Sequence, residues 1–208
     1  SILSLSLGAL GALNQTRFKR LVAYSGISHF GFILFAFSIG SVSSFQASLV
    51  YLLIYIAMSL CLFSAFIASS PPRRGFLWGF SAISQENPAF ALTLSLALLS
   101  TAGIPPLAGF LSKWLVLLSG LASGYAQVVL VFLFFSVVAG FYYVRLVQLI
   151  YFPIDFSVLL WQRVLHHRAN VNTPLTLLIG VSSYFIISIL LFPNLPLQFG
   201  FWASKTPF

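Results

Sequence analysis

The sequence predicts an all-α integral membrane protein with about five full transmembrane helices plus a partial one, one of them broken. Three observations predict it. The 208 residues are 60% hydrophobic and 6% charged, with a mean hydropathy of +1.03, whereas a soluble domain carries roughly 25% charged residues. The apolar residues gather at 21–40, 45–69, 89–119, 125–151 and 173–193, and a helix needs about 20 residues to cross the hydrocarbon core. The intervening loops alternate between basic and neutral, as the positive-inside rule requires of successive loops on opposite sides.

Residues 1–13 are apolar but too short to span alone. They read as the end of a helix that starts earlier, so the chain reads as part of a larger protein or one piece of a split gene. A signal peptide carries its positive charge before the apolar run, and here Arg17, Lys19 and Arg20 follow it. The next loop, 41–44, is uncharged; 70–88 holds Arg73, Arg74 and Glu86. Loop 120–124 is again uncharged, and 152–172 holds Asp155, Arg163, His166, His167 and Arg168. After residue 193 the only charge is Lys205. The basic loops then face a bacterial cytoplasm or a mitochondrial matrix, and the tail faces the other side. Pro71-Pro72 and Asn87-Pro88 mark turns, and Pro88 suits the first turn of the helix that follows.

The segment 89–119 would be roughly 46 Å long as one straight helix, well beyond the ~30 Å hydrocarbon core. In its middle stands Gly103-Ile104-Pro105-Pro106-Leu107-Ala108-Gly109. Two successive prolines delete two backbone donors and clash with the preceding turn, so the helix is expected to break there. Broken helices inside a membrane survive only against protein or a water-filled cavity, and transporters build ion sites from them.

Several function classes fall away. The net charge of +8 sits in short loops between spans, not on a nucleic-acid-binding face. One cysteine, Cys61, excludes a four-thiolate cluster and an internal disulfide. His29 is the one histidine within a span, which argues against a bis-histidine haem held by this chain. The His166-His167 pair lacks the i, i+4 spacing of helical metal ligands and reads as a solvated loop. No phosphate-binding loop is present. The expectation is a chain with no cofactor and no metal of its own.

The residues left for chemistry are few. Lys113 is the one lysine inside a span, just past the break. It either snorkels toward the neutral side or is a buried protonatable group on an ion path, the usual meaning of an intramembrane lysine. His29 lies about 12 Å into its span, with Ser25, Ser28 and Tyr24 nearby. It either relays protons or is a neutral histidine bonded to a neighbouring helix. Ser48, Tyr51, Tyr55 and Ser59 recur at helical spacing and form a polar stripe, read as helix packing ahead of a hydrated path. Arg145 is close enough to the basic end to snorkel.

Two motifs carry a resemblance. Asn14-Gln15-Thr16 with Phe18-Lys19-Arg20-Leu21-Val22-Ala23-Tyr24-Ser25-Gly26-Ile27-Ser28-His29-Phe30-Gly31 resembles the antiporter-like membrane subunits of respiratory complex I. So does Leu99-Ser100-Thr101-Ala102-Gly103-Ile104-Pro105-Pro106-Leu107-Ala108-Gly109-Phe110-Leu111-Ser112-Lys113. Tyr142-Tyr143-Val144-Arg145 and Tyr151-Phe152 narrow the resemblance within that family. It covers most of residues 8–152 and weakens beyond.

The resemblance implies the second of two inverted five-helix repeats, in a subunit that moves protons without redox chemistry of its own. It implies 1–13 as the end of a transmembrane helix, 14–152 as second-repeat helices, 153–172 as a basic loop, 173–193 as the last transmembrane helix and 194–208 as a tail. It puts Lys113 and His29 on the proton path. Tyr24, Ser25, Ser28, Tyr55 and Ser59 become candidate channel lining, and Gly103, Pro105, Pro106 and Gly109 the broken helix. The implied partners are other membrane-arm subunits, lipids and a separate chain carrying the first repeat. No nucleic acid is implied. The implied location is the mitochondrial inner membrane, or a bacterial plasma membrane or thylakoid. The sequence departs from the pattern in two ways. The family's glutamate–lysine pair belongs to the first repeat and is absent, and Glu86 is no substitute; the 152–172 loop is also longer than usual. A cation/proton antiporter subunit and a purely structural subunit are the alternatives.

Overall fold

A computed structural model of the chain describes residues 1–68, 77–80, 84, 87–105, 107–152 and 173–205. The loop arginines 73 and 74, Glu86, Pro106 and the whole 153–172 loop, with its two histidines, lie outside the described residues. Among the described residues every regular element is helical. In chain order they are α1 (Ile2–Leu13), α2 (Phe18–Ile39), α3 (Val42–Ala68), a 3₁₀ turn (Leu77–Phe80), α4 (Pro88–Ala102), α5 (Ala108–Ala122), α6 (Ala126–Tyr151), α7 (Thr173–Leu191) and α8 (Asn194–Lys205).

Three of these helices, α2, α3 and α6, are individually long and apolar enough to cross a membrane. α1, α4, α5 and α7 are shorter apolar helices. The expected spans at 21–40, 45–69 and 125–151 agree with α2, α3 and α6 to within a turn at either end. The segment 89–119 is two helices of 15 residues each. Residues 194–205, read from sequence as a tail, form α8. Pro196 conceals that helix in the sequence, but near its start a proline costs little.

α1 lies antiparallel along α2, and the chain turns between them over residues 14–17. Its buried face is Leu5, Gly8, Ala9 and Ala12, the last three small enough to let two backbones approach closely. The basic end of the bundle is closed by rings. Phe18 stacks on Phe66 at 5.0 Å and meets Phe80 at 4.9 Å. The Leu77 N–H donates to the Thr16 carbonyl at 2.9 Å, which puts the chain ahead of α2 and the chain after α3 at one end. At the opposite end Gln46 donates to the Leu197 carbonyl at 3.2 Å, so α8 rests against the start of α3. This places loop 41–44 and the tail together, as the charge alternation requires.

The outer faces are apolar: Leu130, Phe134, Val137 and Phe141 on α6, and Leu177, Val181 and Tyr184 on α7, are all exposed. Such faces suit lipid or a neighbouring membrane subunit, not water. The inner faces hold the buried polar residues, among them His29, Ser100, Thr101, Ser112 and Lys113.

Candidate functional site

The site is built where α4 stops. Gly103 takes φ +83°, a left-handed conformation that glycine adopts without a Cβ penalty. Its N–H reaches the Ser100 carbonyl at 3.0 Å and the Ile104 N–H reaches the Leu99 carbonyl at 3.3 Å. This is the Schellman arrangement of a helix end. It occupies the carbonyls of Leu99 and Ser100. The carbonyls of Thr101 and Ala102 remain. In an uninterrupted helix they would accept from residues 105 and 106, and both of those are proline. The proline pair therefore withholds the two donors that these two carbonyls would have used.

Lys113 supplies the replacement. Its Nζ donates to the Ala102 carbonyl at 2.7 Å and to the Thr101 carbonyl at 3.3 Å. α5 runs on from the break, and Lys113 lies one and a half turns into it, facing back to the end of α4. The side chain is 7% exposed, so it does not snorkel to either surface. The carbonyl end of a helix carries roughly half a negative charge, which favours a cation there. The Phe32 ring lies 5.9 Å from the ammonium, within cation–π range. An ammonium has three donors; two go to carbonyls and the third is left for the ring face or for a water.

Ser100 and Gly109 hold the two half-helices together. The Ser100 hydroxyl accepts from the Gly109 N–H at 3.2 Å and donates to the Met58 sulfur at 3.1 Å. A Cβ at position 109 would run into the Ser100 carbonyl oxygen. Glycine is what lets the first turn of α5 cross α4 at this distance.

His29, from the middle of α2, is the second centre. Its Nδ1 lies 2.8 Å from the Tyr51 hydroxyl and its Nε2 lies 3.4 Å from the Tyr143 hydroxyl. The Tyr55 ring packs 5.0 Å from the imidazole. Tyr143 is 1% exposed; Ser25, Thr101 and Tyr142 are neighbours of its hydroxyl, while the Ser25 and Thr101 hydroxyls donate to the Val22 and Leu98 carbonyls of their own helices. Tyr143 lies between the two centres, because the Thr101 carbonyl is one of the two acceptors of the Lys113 ammonium.

Among the residues singled out from sequence, the structure brings together Lys113, His29, Tyr55, Ser25, Gly103 and Gly109. Ser25 and Ser28 are buried in α2, but each hydroxyl donates to a carbonyl of its own helix, Val22 at 2.9 Å and Ser25 at 2.7 Å. Tyr24 lies on the outer side, its ring over Gly11 of α1. The Ser59 hydroxyl donates to Ile56 of its own helix on an exposed face. Pro105 is exposed at the break. Of the α3 stripe, Tyr51 and Tyr55 turn to His29, while Ser48 donates to the Phe45 carbonyl at 2.6 Å. Sequence reasoning missed Tyr143, Thr101 and Phe32 as members. The adjacent Tyr142-Tyr143 pair was the available signal, but nothing along the chain ties position 143 to position 29.

Comparison with known proteins places this arrangement. Residues 1–139 match the family described as NADH:quinone oxidoreductase/Mrp antiporter, transmembrane. NADH-ubiquinone oxidoreductase chain 2 of Metridium senile is 46% identical over 204 residues, which cover 98% of this chain and 53% of that protein. The chain thus spans about half the length of that relative. A chain of respiratory complex I from Thermus thermophilus superposes with a TM-score of 0.79 at 29% identity, covering 95% of this chain and 43% of that one. A chain of the Mrp complex from Dietzia sp. shares the fold, with a TM-score of 0.82 at 18% identity over 98% of this chain and 45% of that one. The chain therefore belongs to the NADH:quinone oxidoreductase/Mrp antiporter transmembrane family.

Proposed function

We propose that this chain forms the second half of a proton path in a membrane-arm subunit of respiratory NADH:ubiquinone oxidoreductase, with Lys113 and His29 as its protonatable groups and no redox site of its own. One observation carries the reading. A buried lysine holds the two carbonyls freed by a mid-span proline pair, with a hydroxyl-flanked histidine next to it. Such a lysine is an unusual thing to keep in hydrocarbon. Even lenient insertion scales set the cost of a central lysine at about 2.5–3.5 kcal/mol.

The geometry serves both protonation states. As ammonium, Lys113 donates to Thr101 and Ala102 and keeps one donor over. As amine, it keeps two donors for the same two carbonyls and turns a lone pair to where the third donor was. Little has to move when the proton comes or goes. In this reading α4 and α5 cross together as one broken span and α7 is the fifth crossing. The partners are other membrane-arm subunits, lipids and a polypeptide that supplies the first repeat. The location is the mitochondrial inner membrane, or the plasma membrane in a bacterial setting. The likeness to a complex I chain at 29% identity supports complex I over the Mrp antiporter, where likeness is of fold alone.

The test is Lys113→Met in the complete assembled complex, reconstituted in vesicles. It removes the titrating group at nearly constant volume. Assembly and electron transfer are expected to persist while proton pumping falls. Lys113→Arg is also expected to fall, because a guanidinium does not release its proton inside a protein. Full assembly with normal pumping in both variants would leave a structural subunit. Co-purification without flavin and iron–sulfur subunits would point to the antiporter.

A further inference from the structure

We infer that Tyr51, His29 and Tyr143 form a tautomer-switched relay, in which Tyr143 is the positioning residue that joins His29 to the broken-helix lysine. The inference rests on the proton-path reading above.

The geometry carries it. Both ring nitrogens of His29 are flanked by a tyrosine hydroxyl, at 2.8 Å on Nδ1 and 3.4 Å on Nε2. The two hydroxyls come from different helices, α3 and α6. A neutral imidazole donates from one nitrogen and accepts at the other. The two tyrosines therefore cannot choose their roles independently. When Nδ1 accepts from Tyr51, Nε2–H donates to the Tyr143 oxygen, and the Tyr143 hydrogen is free to point at the hydroxyls of Thr101 or Ser25. When Nδ1 carries the hydrogen, Tyr143 must donate to Nε2, and its link toward Thr101 is withdrawn. The tautomer of His29 thus decides whether Tyr143 faces the broken helix.

One passage balances as follows. A proton reaches Nδ1 from Tyr51, whose oxygen is reprotonated from its own far side. The Nε2 hydrogen moves to the Tyr143 oxygen, and Tyr143 releases its former hydrogen to a water at the Thr101 end. That water delivers the proton to the Lys113 amine, which becomes ammonium. The ring ends neutral and in the other tautomer. A second proton cannot follow by the same route until the tautomer is reset. The arrangement therefore passes protons singly.

Tyr142 supplies an internal control. It is adjacent in sequence, its ring lies 4.5 Å from the Tyr143 ring, and it is 3% exposed. Its hydroxyl is buried without a hydrogen-bond partner at bonding geometry, although Tyr143 and Ser28 are neighbours. Replacing either tyrosine by phenylalanine removes one oxygen from the same packed region, but only one of them touches His29.

The experiment compares Tyr143→Phe, Tyr142→Phe and Lys113→Met in the complete assembled complex in vesicles, measuring electron transfer, protons pumped per electron and the slowing in heavy water. Tyr143→Phe is expected to assemble, to keep electron transfer and to lose pumping severalfold, with the heavy-water slowing of the residual flux altered. Tyr142→Phe, which removes a neighbouring hydroxyl but no partner of His29, is expected to assemble, to keep electron transfer and to lose far less pumping than Tyr143→Phe. Normal pumping in Tyr143→Phe beside lost pumping in Lys113→Met overturns the relay and leaves the proton-path reading intact. Normal pumping in Lys113→Met overturns that reading itself. Failure of Tyr143→Phe alone to assemble gives the hydroxyl a structural role and also overturns the relay, as does an equal loss in Tyr142→Phe.

Discussion

Lys113 and His29 are both buried in the same bundle, yet they are held in opposite ways. Lys113 is held by backbone carbonyls, Thr101 and Ala102. His29 is held by side-chain hydroxyls, Tyr51 and Tyr143. A carbonyl only accepts, and a hydroxyl both donates and accepts. The lysine's partners therefore favour a group rich in donors and stay the same whichever state it is in. The histidine's partners reorganise with its tautomer. In the proposed path one centre stores a proton and the other passes it on. Backbone geometry builds the first, so glycines and prolines control it. Side-chain rotors build the second, so tyrosines control it.

That contrast can be broken at the backbone first. Gly109→Val drives a branched side chain into the Ser100 carbonyl and forces α5 off α4. Overpacking of this kind costs about 3 kcal/mol or more. Loss of assembled complex on a native gel is the expected outcome, and a normal yield would mean that the half-helices are not held by this crossing.

Gly103→Ala is expected to have the next largest effect. It imposes roughly 1–2 kcal/mol of left-handed strain, and its Cβ would stand 2.8 Å from the Lys113 Nζ. Thermal stability and pumping should both fall. Gly103→Asn separates the two causes. Asparagine tolerates the left-handed region, so stability should recover in part, while pumping stays low because Lys113 is still displaced. Joint recovery of both would assign the whole effect to strain.

At the histidine, Tyr51→Phe removes the 2.8 Å partner of Nδ1. The cost to stability should be modest, about 1 kcal/mol, read as a small fall in the unfolding midpoint of the complex. The proton flux should fall much further than the midpoint. A loss of stability with unchanged flux would make the tyrosine a packing residue.

Phe32→Leu should have the smallest effect. The ring contributes about 0.5–1 kcal/mol to an ammonium at this distance, and leucine keeps most of the volume. A slight drop in pumping with normal assembly is expected. A loss as deep as that of Lys113→Met would show that the ring face, not the carbonyl pair, is the chief support of the lysine.

Much of this was legible along the chain because it depends on neighbours in sequence. Composition and the alternation of charged loops predict a helical membrane protein. The excess length of 89–119 and the proline pair predict the break, and the structure has α4 ending at Ala102 and α5 starting at Ala108. Span length is the less readable feature: within the tail the sequence reads after residue 193, Asn194–Lys205 form α8, and Pro196 near its start is no obstacle to a helix that begins around it.

By itself, then, the sequence determined that the chain lies in a membrane, where one of its spans breaks and which residues could titrate there. The reason is that apolar length, loop charge and a missing backbone donor act locally. Only the tertiary structure decided what those residues touch. His29 meets Tyr143 across 114 positions, and Tyr142 and Tyr143, side by side in the chain, receive different surroundings. Successive residues of a helix point about 100° apart. Which of the two meets the histidine is therefore set by how α6 is rotated against α2, and that rotation follows from the packing of the whole bundle.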